Sequence, residues 1–124
     1  MQTIAVGVDV VDVPRFRTLL ERRPRLEERL FTSGERRDAN GQAERLAARF
    51  AVKEAVLKSL RSGVGAAKWH DIELVRDASG APSVRLHGNA MVIAERHGVR
   101  EVLISQSHSA MTAIAFATAQ GDPA

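Results

Sequence analysis

The chain has 124 residues, 44% hydrophobic and 27% charged, a balance that favours one soluble globular domain with a modest core and excludes a disordered chain. Cysteine is absent, which excludes disulfides, thiol nucleophiles and thiolate metal sites. Net charge is +3 but uneven: residues 15–37 hold eight Arg against four Glu, net +4, leaving the remainder net −1, a pattern that points to an anionic partner.

Met1–Val6 has neither the basic start nor the small-residue cleavage site of a secretory signal, so none is expected. Residues 3–10 are dense in Ile and Val and read as a buried strand. Asp9 breaks that pattern, because an isolated carboxylate is costly to bury. It must lie at the strand end, meet a cation or bind a metal.

Pro14 marks the start of a helix whose stripe is Phe16, Leu19 and Leu20, running to about Glu21 with Arg on its outer face. Pro24 interrupts it, and Leu26, Leu30 and Phe31 resume a shorter helical pattern. Thr32 and Glu35 have capping-box spacing, and residues 38–41 read as a loop. The clearest element is a helix over about Ala43–Leu60, rich in Ala, Leu, Arg, Lys and Glu without internal Gly or Pro, ended by residues 62–65.

Asp71–Val75 and Ser83–Leu86 read as two strands joined by Asp77-Ala78-Ser79-Gly80. Asn89–His97 reads as a short helix stopped by Gly98, and Val102–Ser105 and Thr112–Thr118 as two further strands around a polar turn. Residues 1–119 form the single expected domain and residues 120–124 a frayed tail. The order is β-α-α-α-β-β-α-β-β, an α+β class. No apolar run approaches the roughly 18–20 residues that span a bilayer, so a cytoplasmic protein without membrane attachment is expected.

On the long helix, Glu54 and Lys58 are four apart and share a face. They border the stripe of Leu46, Phe50 and Leu57, while Ala47 and Ala51 leave room for another segment or a ligand to approach. Spacing alone favours an ordinary solvated ion pair. Two carboxylates with a nearby Lys could instead hold Mg²⁺ against a pyrophosphate, since Mg²⁺ takes one or two carboxylates while phosphates and waters complete its octahedron.

Five segments together resemble one family. Gly7-Val8-Asp9-Val10-Val11 followed by Arg15-Phe16 is similar to the N-terminal signature of holo-acyl-carrier-protein synthases. Phe31-Thr32-Ser33-Gly34-Glu35-Arg36-Arg37 resembles the second motif, and Arg49-Phe50-Ala51-Val52-Lys53-Glu54-Ala55-Val56-Leu57-Lys58 the most specific one. Gly80-Ala81-Pro82 with Val84 and Leu86, and Ile104-Ser105-Gln106-Ser107-His108, complete the set in order along nearly the whole chain.

The resemblance implies a 4′-phosphopantetheinyl transferase-like domain, an antiparallel sheet packed with a long helix, assembling as a trimer with sites between subunits. It implies transfer of 4′-phosphopantetheine from coenzyme A to a serine of an acidic acyl carrier protein, with Mg²⁺ as cofactor and adenosine 3′,5′-bisphosphate as the second product. Asp9 and Glu54 would be the metal ligands, Lys58 would contact the phosphates, and Glu54, directly or through a water, would take the serine proton. Arg49 would help shape the coenzyme pocket. Pro82 and Arg85 of the hairpin, and Ser105, Gln106 and His108 of a turn, would lie near the adenosine, with either Gln106 or His108 serving the 3′-phosphate. Arg15, Arg22 and Arg29, at steps of seven, would form the stripe that meets the carrier protein.

Two other classes compete. A carrier-protein-binding homologue without activity would keep the basic face but has no reason to keep Asp9, Glu54 and Lys58. A basic nucleic-acid-binding module predicts stacking aromatics, whereas the chain has four Phe, one Trp and no Tyr.

Overall fold

The computed structural model describes residues 1–63 and 65–123. Val64, inside the segment expected to end the long helix, and Ala124 of the expected tail lie outside them. The chain opens with strand β1 (Gln2–Asp12) and runs into helix α1 (Val13–Arg22). The Asp12 carboxylate accepts from the Arg15 N–H at 2.9 Å and Pro14 occupies the first turn, so the strand-to-helix switch is written into three residues. Helix α1 stops at Arg22, before Pro24, and α2 (Leu26–Leu30) begins separately.

The expected capping box forms: Thr32 accepts from the Glu35 N–H and the Glu35 carboxylate accepts from the Thr32 N–H. It starts a full helix, α3 (Ser33–Ala39), so Asp38 and Ala39, read as loop, are helical. The turn is confined to Asn40 and Gly41, both with left-handed backbone.

Helix α4 (Ala43–Ser59) follows, and Arg61 rather than a glycine takes the left-handed position beyond it, its guanidinium donating to the Ile4 carbonyl. A 3-10 turn (Trp69–Asp71) leads into β2 (Ile72–Arg76) and β3 (Pro82–Leu86), then α5 (Gly88–Arg96), β4 (Val99–His108) and β5 (Thr112–Gly121). The hairpin turn is organised by Asp77, whose carboxylate accepts from the Ser79 and Ala81 N–H groups.

The strands make two antiparallel sheets, β1-β5-β4 and the separate ribbon β2-β3. Two sequence expectations are corrected by this pairing. Ser105–His108 is not a turn, because those residues pair with 113–116 of β5 and the reversal lies at Ser109–Met111. Gln120 and Gly121 are not frayed, because each pairs with both β1 and β4; only Asp122 and Pro123 lie beyond the strand among the described residues. Ladder hydrogen bonds, from β5 to β4 and from both neighbours to β5, carry each strand further than its own composition predicts.

Helix α4 lies across the inner face of the three-stranded sheet. Ala113, Ala115, Ala117 and Ala119 of β5 and Ala47, Ala51 and Ala55 of α4 are all buried, and these small side chains let helix and sheet approach closely. Phe16 stacks on Phe50 at 5.2 Å, and Phe50 meets Trp69 at 5.2 Å, joining α1, α4 and the 3-10 turn. No helix of the described residues is long and apolar enough to cross a membrane.

Candidate active site

The approach of β1 to α4 builds the site. A Cβ on Gly7 would stand 2.0 Å from the Ala55 carbonyl oxygen and 3.0 Å from Lys58 Cβ, so only glycine fits there. Two residues on, and on the same face of the strand, Asp9 is therefore set against α4. Lys58 Nζ donates to Asp9 Oδ1 at 3.2 Å and to the Val8 carbonyl at 2.8 Å. The Asp9 side chain is only 19% exposed, whereas Lys58 is half open to solvent.

Glu54 sits one turn before Lys58 and is half-buried. Burial and the nearby Asp9 charge push its carboxyl above the ordinary glutamate value, and Lys58 pulls the other way. The two acids, far apart in sequence, thus share one electrostatic site with one ammonium group. Among the described residues no cluster of three or more His, Cys, Asp or Glu could hold a metal. The donor set is a carboxylate pair, which suits a hard cation that takes its remaining ligands from phosphates and water.

A model of the family described as "ACPS: 4'-phosphopantetheinyl transferase superfamily" matches residues 5–115. The holo-[acyl-carrier-protein] synthase of Clavibacter michiganensis subsp. michiganensis is 47% identical over 117 residues, covering 94% of this chain and 95% of that protein. That of Alkaliphilus metalliredigens is 42% identical over 117 residues, covering 92% and 96%. The chain belongs to the holo-[acyl-carrier-protein] synthase family. It is accordingly an enzyme, a phosphopantetheinyl transferase. The structure of the Helicobacter pylori synthase in complex with coenzyme A superposes with a TM-score of 0.83 at 26% identity, covering 93% of this chain and 99% of that one. The Mycobacterium tuberculosis acyl carrier protein synthase gives 0.75 at 37% identity, covering 97% and 99%.

Other residues expected to serve a holo-[acyl-carrier-protein] synthase are scattered more widely. Gln106 lies across Ala115 from Asp9, and His108 across Ala113 from Val11, so both share the inner face of the sheet with Asp9. The Gln106 side-chain oxygen is buried without a hydrogen-bond partner. Ser105 pairs with Phe116, which pairs with Val8, and so points to the opposite face. Pro82 and Arg85 are exposed on β3 of the separate ribbon. Arg85 also borders a cavity of about 330 Å³ between β3, α5 and the start of β4.

Arg49 lies nine residues before Lys58, about half a turn round the helix. Its guanidinium is buried, donating to Asp38 at 2.7 Å and to the Arg45 carbonyl at 3.1 Å. Burial raises the Asp38 carboxyl, but hydrogen bonds from Arg49 and Arg76 outweigh it and leave the carboxyl below its ordinary value. Arg15 and Arg22 are exposed on α1. Arg29 is exposed on α2, beyond the break at Pro24, so the seven-residue step joins Arg15 to Arg22 but not to Arg29. It borders a cavity of about 490 Å³ with Lys68, Trp69 and His70.

One charged group escaped the sequence reading. Lys53 is wholly buried, donating to Glu35 at 2.8 Å, to the Trp69 carbonyl at 2.9 Å and to the Ile72 carbonyl. Burial lowers its pKa, opposed by Glu35. The signal was present: Leu46, Phe50, Lys53, Leu57 and Leu60 fall at helical spacing, with Lys53 inside the apolar stripe.

Proposed function

We propose that this enzyme transfers 4′-phosphopantetheine from coenzyme A to a serine of an apo acyl carrier protein, with Mg²⁺ required and adenosine 3′,5′-bisphosphate released. The observation that carries this reading is the meeting of Asp9, Glu54 and Lys58 where β1 touches α4. Asp9 and Glu54 would hold Mg²⁺. A carboxylate held up by burial and by a second carboxylate beside it, as Glu54 is by Asp9, also favours a shared cation, so the pair fits that ion. When bound, the ion would supply charge neutralisation and Lewis-acid polarisation to the pyrophosphate.

In this mechanism the serine oxygen attacks the phosphorus that carries the pantetheine arm. The bond from that phosphorus to the bridging oxygen breaks, and the bisphosphate leaves with the electron pair. Glu54, directly or through a water, would accept the serine proton. Lys58, half exposed and held by Asp9 and the Val8 carbonyl, can turn a donor to a phosphate oxygen. Positioning and electrostatics carry such a phosphoryl transfer, and no protein nucleophile is needed.

Two surfaces fit the same reading. The exposed Arg15 and Arg22 of α1 suit an acidic carrier protein. The outer face of the three-stranded sheet suits a trimer, since Val6 (68%), Val8 (43%), Val10 (59%), Leu103 (51%) and Phe116 (54%) are exposed on it. The deciding experiment is mass spectrometry of an apo carrier protein incubated with enzyme, coenzyme A and Mg²⁺. A serine-linked phosphopantetheine mass is expected, and an unmodified carrier protein would overturn the reading.

A further inference from the structure

Lys53 is neighbour to Glu54 on α4, yet it points away from solvent into the layer formed by α3, the 3-10 turn and β2. All three ammonium protons are used, on Glu35, the Trp69 carbonyl and the Ile72 carbonyl. Glu35 is equally satisfied, accepting from Lys53 and the Thr32 N–H at one oxygen and from the Leu74 N–H at the other. A buried ion pair of this kind adds little net stability over a well-packed apolar pair of similar volume. What it supplies, and an apolar plug does not, is direction.

Helix α4 is gripped from two sides. On one, Gly7 sits against the Ala55 carbonyl and Lys58 Cβ. On the other, Lys53 is tied to three separate elements. Turning α4 about its axis would draw the ammonium off acceptors that cannot follow together. Glu54 lies on the helix between these two grips.

We propose that Lys53, through its bonds to Glu35 and the two carbonyls, is a positioning residue that sets the rotation of α4 and so holds Glu54 at Asp9. This rests on the reading of Asp9 and Glu54 as the metal pair. The same bonds also hold the Trp69 carbonyl, and with it the ring that packs on Phe50.

The test uses the full chain. Lys53→Met alone leaves the Glu35 charge buried without its partner, so the informative variant is Lys53→Met with Glu35→Gln, which removes both charges and keeps the volume. Mn²⁺ titration of the folded protein and steady-state kinetics are read together. The expected result is a Mn²⁺ dissociation constant raised about tenfold and kcat lowered about tenfold, the scale felt when a group that orients a metal ligand is lost. The Michaelis constant for carrier protein should stay within about twofold. A merely structural role would move the melting temperature and leave metal affinity per folded molecule and kcat unchanged, and that result overturns the proposal. Should the double variant not fold, Glu35→Asp, which withdraws the acceptor by one methylene, is measured in the same way with the same two outcomes. Wild-type protein that binds no Mn²⁺ would overturn the metal reading itself. Wild type and variant binding it equally would overturn only the role of Lys53.

Discussion

Gly7 and Ala55 are in backbone contact: a Cβ on Gly7 would stand 2.0 Å from the Ala55 carbonyl oxygen, which is backbone and cannot swing aside. Gly7→Ala must therefore push β1 from α4, at a cost of about 1–3 kcal/mol typical of overpacking. Because Asp9 is two residues on, the same shift should widen its separation from Glu54 and lower activity at temperatures where the protein remains folded. Denaturant titration and turnover measured together check this. Full stability with full activity would show that the contact does not set the site.

Removal of either acid should silence the enzyme without unfolding it. Asp9→Ala and Glu54→Ala each delete a half-buried carboxylate and little core volume, so circular dichroism should be unchanged. Turnover should fall by at least about a hundredfold, the scale of losing one preorganised electrostatic contact. Added Mg²⁺ should rescue them only in part. Near-normal turnover by folded Asp9→Ala would sink the metal assignment.

The Glu54 carboxyl gives a pH signature in the metal-free protein. Its folded pKa is raised above 4.5, so the folded state binds more protons than the unfolded one from about that pH upward. Stability is thus lost as pH rises from 4.5 through the folded value, and the penalty is absent below it. Glu54→Gln should lack this loss, so its denaturation midpoint should exceed that of wild type at neutral pH in EDTA and converge on it in acid. Parallel pH profiles for the two proteins would contradict the upward push that burial and the Asp9 charge give the Glu54 carboxyl.

On the partner surface, charge sets encounter more than chemistry. Arg15→Glu and Arg22→Glu should raise the Michaelis constant for carrier protein and flatten its dependence on ionic strength, with the constant for coenzyme A nearly unchanged. Both residues are exposed and absent from the ion pairs within the described residues, so neither change should disturb folding. Unchanged carrier-protein kinetics in both variants would remove α1 as the docking helix and leave the metal site standing.

The exposed apolar sheet face should be covered by further copies of the chain. Light scattering at micromolar concentration should report a trimer, and Phe116→Asp, which places a charge at the centre of that face, should shift it toward monomer. A fully active wild-type monomer would contradict a pocket shared between subunits.

Composition and spacing alone determined a good deal. The unbroken run of helix formers over 43–60, the turn chemistry at Asp77–Gly80 and the Thr32–Glu35 cap are local signals, and each appears where the residues put it. The resemblance of Arg49–Lys58 and Gly7–Val11 to one family named the candidate site residues. Tertiary structure decided the rest, because it depends on which segments meet. Asp9 and Lys58, 49 residues apart, touch only because Gly7 lets β1 rest on α4. β4 and β5 outrun their expected ends because pairing, β5 with both neighbours and β4 with β5, and not composition, sets strand length. Arg49 and Lys53 carry like charges on one helix, yet Arg49 is taken up by Asp38 and Lys53 by Glu35, partners on α3 that no spacing along α4 could reveal.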